Sequence, residues 1–167
     1  MSVQTRIIIP VTQTLRDELK QTKGWNSLEE EAALNLARTS AVLEHALAQA
    51  LKPYDVTPTQ YNVLRILRGA GPDGLCRNEV GARLVRRVPD VTRLLDRMEE
   101  TGLIARERGG DDRRYVTTRI EPKGLALLQR LDGEICAIHR RNLGHLDKKE
   151  LRKLIDLLTA ARQDRGV

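Results

Sequence analysis

Phenylalanine is absent from this 167-residue chain, and Trp25, Tyr54, Tyr61 and Tyr115 are its only aromatic residues. So few rings leave no stacking platform for single-stranded nucleic acid. Cysteine is nearly absent as well. Cys76 and Cys136 make no disulfide framework, fit a reducing compartment, and read as small buried apolar residues. No apolar run reaches membrane-spanning length. The start, "MSVQTRIIIPV", has too short an apolar stretch for a secretory signal and is broken by Pro10. The expected location is the cytoplasm.

Catalytic signatures are missing too. There is no phosphate-cradling glycine loop, no nucleophile elbow and no carboxylate pair in a plausible cleft. "GGDD" (109–112) lies between arginine-rich segments and reads as a turn. Cys136, His139 and His145 fall close together but give no ligand cluster at zinc spacing. The chain therefore reads as a non-enzyme without metal or cofactor.

What the chain does have is charge. Lys and Arg number 29 against 23 Asp and Glu, a net +6. That balance suits a polyanionic partner and is silent on fold.

Helical periodicity dominates. Residues 1–26 are an N-terminal extension in which "VTQTLRDELKQTKG" predicts a short helix ending at Gly24. Ser27 and Glu30 fit a capping box, each satisfying an orphan backbone donor, ahead of an apolar stripe from Leu28 to Leu51. Thr57 and Gln60 form a second box, with Pro58 at the first helical position, before a helix through Tyr61, Leu64 and Leu67. "RNEVGARL" (77–84) predicts a short helix. Residues 89–101 predict another, with Pro89 in its first turn, Val91, Leu94, Leu95 and Met98 on one face and Gly102 as its stop.

The period then changes. "LIARER" (103–108) and "RYVTTRI" (114–120) predict two strands joined across Gly109-Gly110. Helical pattern returns after Pro122, and Asp147 with Glu150 opens the last helix. Three helices followed by a charged hairpin, over 57–120, make a winged helix-turn-helix. The fold class is mainly α (α+β).

In such a unit the second helix of the turn enters the DNA major groove. Here that is 89–101. Arg93 is placed to reach guanine O6 and N7, Thr92 a thymine methyl or a phosphate, and Asp90 cytosine N4. Arg86 and Arg87 are placed for phosphates, Arg97 lies on the same polar face, and Pro89 opens the helix. The Gly-Gly turn becomes a wing tip. Arg113 enters the minor groove there, Asp111 fixes its direction, and Arg106, Arg108 and Arg114 flank it. From Arg65 to Arg119 the chain holds 13 basic and 9 acidic residues. The acids must pair with arginines or face away from the duplex.

"TPTQYNVLRIL" (57–67), "VPDVTRLLDRMEETGLIARE" (88–107), "DDRR" (111–114) and "PKG" (122–124) together resemble the MarR family of bacterial transcriptional regulators. The resemblance spans about 28–163. It implies a homodimer, with 27–56 and 121–167 interlocked as dimerisation helices and a DNA-binding lobe at 57–120. It also implies a pseudo-palindromic double-stranded operator and repression relieved by a small, often aromatic or phenolic effector. Val88-Pro89-Asp90 stands where the family often has Ser or Thr. Trp25 in an N-terminal extension is similar to the urate-responsive branch, whose acidic residue is replaced by Asn62. Trp25, His45 and Tyr61 are ligand candidates, with core packing as the competing role for each. The alternative function is a winged-helix module for protein assembly that binds no DNA, and salt-dependent duplex binding separates the two.

Overall fold

The computed structural model describes residues 13–108 and 116–163, the side chain of Arg108 excepted. The chain divides into two units, Met1–Val42 and Leu43–Val167.

The first unit opens with α1 (Leu15–Glu18), a single turn held by a Thr14–Asp17 capping box. It stops well short of Gly24. Lys20 turns left-handed at φ 52°, and the Arg16 guanidinium donates to the carbonyls of Gln21 and Thr22 at 3.1 and 2.8 Å. The long helix α2 (Leu28–Leu51) begins in this unit and ends in the next. Ser27 caps it as expected, its Oγ accepting from the Glu30 N–H at 3.1 Å. The second half of the expected box is displaced by one residue. Glu30 accepts from the Asn26 N–H, at 2.7 Å, rather than from Ser27.

The second unit continues through α3 (Pro58–Ala70), α4 (Arg77–Arg83), α5 (Val91–Glu100), α6 (Pro122–Leu143) and α7 (Lys148–Arg162). Local chemistry sets most of the ends. Thr57 and Gln60 close a capping box on α3, and Asp147 and Glu150 one on α7. At the end of α5 the Gly102 N–H bonds to the Glu99 carbonyl at 2.8 Å and the Leu103 N–H to that of Met98 at 3.0 Å. Gly102 sits at φ 70°, the left-handed position this closure needs.

The two expected strands form, as β2 (Ile104–Arg108) and β3 (Val116–Ile120), antiparallel with Ile104 opposite Ile120. A third, β1 (Leu75–Cys76), pairs with the other edge of β3. Val63, Leu64, Leu67, Val80, Leu95, Met98, Ile104, Leu128 and Leu131 are buried in one cluster beneath these elements. At about 1.5–3 kcal/mol per buried aliphatic side chain, that cluster outweighs any surface pair. Cys136, expected buried, is exposed, and Cys76 is half-buried.

Polar contacts join α6 to the lobe. Arg68 on α3 forks onto Asp132 on α6 at 2.8 and 3.1 Å. That hydrogen bond holds the Asp132 carboxyl below the usual carboxylate range. The Tyr54 hydroxyl donates to Glu134 at 3.1 Å.

The "PKG" motif has a steric reason. Pro122 is the first residue of α6, and a Cβ on Gly124 would lie 2.5 Å from the Leu103 carbonyl oxygen and 2.9 Å from Ile120 Cγ1. Gly124→Ala is expected to destabilise by about 1–3 kcal/mol through overpacking, despite alanine's better helix propensity. Gly133→Ala, also within α6, meets nothing within 4 Å and is expected to raise the melting temperature. Parallel thermal melts compare the two. Equal shifts would remove the steric account of Gly124.

Candidate nucleic-acid interface

The helix α5 is amphipathic, and its apolar side decides how it is held. Leu95 and Met98 are buried, while Val91 and Leu94 pack against the same cluster. The first turn is capped by Asp90, whose Oδ1 accepts from the Arg93 N–H at 2.9 Å. Pro89 therefore lies before the cap, outside the helix, and not in its first turn. Asp90 supplies the cap, and one of its carboxylate oxygens is committed there.

Two side chains outside α5, Arg77 and Asn62, fix its start and the turn before it. The Arg77 guanidinium on α4 donates to Thr92 Oγ1 at 3.2 Å. Asn62 on α3 accepts from the Val85 N–H at 2.9 Å. Arg86 pairs with Glu44 on α2 at 3.0 Å. Its neighbour Arg87 is exposed.

The other end of α5 is clamped to the sheet. Arg106 on β2 pairs with both Asp96 and Glu99 at 2.6 Å, and its backbone N–H donates to Glu99 at 3.0 Å. Hydrogen bonding to Glu99 and then Asp96 raises the guanidinium pKa further, against a desolvation penalty. Glu107 is taken by Arg119 across the hairpin, and Glu79 accepts from the Cys76 N–H at 2.8 Å. The lobe's acids are thus largely spent on arginines and caps.

The exposed positions of α5 are Thr92, Arg93, Arg97 and, in its last turn, Glu100. Arg93 and Arg97, one turn apart, are exposed, and among the described residues neither has an ion-pair partner. Asp111, Arg113 and Arg114, expected at the wing tip, lie outside the described residues, as does the side chain of Arg108. The ligand candidates differ in their surroundings. Tyr61 is a buried core residue whose hydroxyl accepts from Arg65 at 3.3 Å. His45 is exposed on α2, and Trp25 is half-buried in the first unit. Among the described residues no group of three His, Cys, Asp or Glu side chains is placed to hold a metal ion, and no helix is long and apolar enough to cross a membrane.

This arrangement can be set against known proteins. A sequence model of the MarR family matches residues 54–114. An uncharacterized HTH-type transcriptional regulator of Bacillus subtilis, YkoM, is 32% identical over 113 residues, covering 65% of this chain and 71% of that one. The chain belongs to the MarR family. A MarR transcription factor from Planctomyces limnophilus superposes with a TM-score of 0.63 at 36% identity, over 82% of this chain and 99% of that one. The transcriptional repressor CouR, solved bound to a 23-mer DNA duplex, gives 0.71 at 25% identity, over 84% and 99%.

The chain is therefore a MarR-family transcriptional regulator with a winged-helix fold, a family of transcription factors rather than enzymes. Arg106, expected to flank the wing tip, is instead turned onto Asp96 and Glu99, and sequence reasoning missed such fasteners. Asn62, Arg77 and the Arg106 clamp carry no local signature, because each joins elements that are distant in sequence.

Proposed function

We propose that this regulator binds double-stranded DNA as a homodimer, with α5 in the major groove, and represses by occluding a promoter. One observation carries the DNA reading. Asp96, Glu99 and Glu107 are bound to arginines and Glu79 and Asp90 to helix starts, whereas Arg93 and Arg97 on α5 stand exposed with no ion-pair partner among the described residues. Arg93 and Thr92 then read base edges, and Arg86, Arg87 and Arg97 position the lobe on phosphates. Asp90 serves the helix start, and Pro89 the turn before it. Arg108, Asp111, Arg113 and Arg114 form the wing, with Arg113 in the minor groove.

Support for the dimer comes from apolar side chains left exposed in the single chain. They are Leu28, Leu36 and Val42 on α2, and Ile155 and Leu157 on α7. CouR, a repressor of the same architecture, was solved on a duplex.

Release by a small molecule has a candidate seat. A groove of about 390 Å³ lies between α4, α5 and the sheet, lined by Cys76, Arg77, Thr92, Leu95, Arg106 and Thr118. Thr118 Oγ1 is buried there with no hydrogen-bond partner among the described residues. None of Trp25, His45 and Tyr61 lines it.

Selection of a preferred duplex from a random library, followed by binding across a salt series, tests the reading. A two-fold-symmetric site with half-sites about one helical turn apart and a steep salt slope is the expected result. Weak binding with no enriched sequence would favour the protein-assembly module instead.

A further inference from the structure

Resting on that reading of the lobe, we propose that Glu44 is an inhibitory carboxylate that holds Arg86 away from phosphate and so lowers duplex affinity. Arg86 lies four residues before the α5 cap Asp90, in the turn that joins α4 to α5. One of its nitrogens, Nη2, donates to both carboxylate oxygens of Glu44, at 3.2 and 3.0 Å. The two side chains are 72% and 47% exposed. A pair this open to water is weak and exchanges readily.

The turn does not need the pair to keep its place. Asn62 holds the Val85 N–H, and Leu84 is buried in the core. Glu44 therefore restrains the direction of one cation rather than the fold of the turn. The next residue, Arg87, is exposed and makes no ion pair among the described residues. Of two adjacent cations beside the reading helix, one is free and one is occupied. A duplex that takes Arg86 must first displace Glu44, and that cost opposes binding.

A double-mutant cycle on the full-length protein tests this with the library-selected duplex. Glu44→Gln removes the charge at nearly constant shape and is expected to tighten binding about threefold to tenfold at low salt. Arg86→Ala is expected to weaken it. In the Arg86→Ala background, Glu44→Gln is expected to change affinity less than about twofold, because the coupling is between these two residues. Melting temperatures of all variants should stay with wild type, since Asn62 still holds the turn.

Equal tightening in both backgrounds would mean a general charge effect and would overturn the proposal. So would unchanged or weaker binding by Glu44→Gln alone. Wild-type protein that binds the duplex with a steep salt slope while the cycle is additive sinks this inference and leaves the proposed function standing. Wild-type protein without salt-dependent binding removes both.

Discussion

Arg106→Ala is expected to lower the melting temperature by roughly 4–8 °C, the shift that about 2 kcal/mol produces in a chain of this size. Exposed ion pairs contribute little, but this one differs in two respects. Arg106 is only 23% exposed, and it donates to two carboxylates on neighbouring turns of α5, with a further bond from its own backbone N–H to Glu99. Charge-assisted hydrogen bonds of this kind are worth more than neutral ones. Removing the guanidinium also leaves Asp96, Glu99 and Glu100 together in the second half of α5. There they repel one another and oppose the negative end of the helix dipole. Adding Asp96→Asn to Arg106→Ala should therefore recover part of the loss, whereas a pure packing defect would not respond. An Arg106→Ala protein that melts with wild type would show that the clamp contributes nothing.

The elements that were legible in the sequence are those set within one helical turn. Thr57 with Gln60, Asp147 with Glu150, and Gly102 at the close of α5 act on backbone groups two to four residues away, so the letters suffice. Pro89 stands two positions before the first helical residue, because the Asp90 carboxylate, rather than proline's fixed φ, sets the helix start. The strand β1 was not legible. Two residues carry no period, and Leu75–Cys76 is a strand only because β3 offers it an open edge. The same division runs through the site. That the lobe is rich in arginine is plain from the letters. Which arginines are free is not, since Arg106 and Arg93 differ only in whether packing brings carboxylates to them.

That distinction sets the expectation for Arg93→Ala. Its side chain is exposed and has no ion-pair partner among the described residues, so alanine there should melt with wild type. The Asp90 cap uses the backbone N–H of residue 93 and survives the change. The cost should fall on DNA alone. A bidentate contact to guanine discriminates by about 1–3 kcal/mol, so affinity for the selected duplex should drop roughly tenfold to a hundredfold, with tolerance of any base at one position in each half-site. Arg87→Ala gives the contrast. A lost phosphate contact should weaken all duplexes alike and shallow the salt slope by about 0.9 per contact removed. Binding measured for both variants on the selected duplex, on single-base variants and across salt separates the two roles. If Arg93→Ala instead lowers all duplexes equally, residue 93 contacts phosphate, and sequence reading passes to other exposed positions on α5. If it lowers none, α5 does not lie in the groove in this orientation, because no exposed cation near the start of the helix could then escape the duplex.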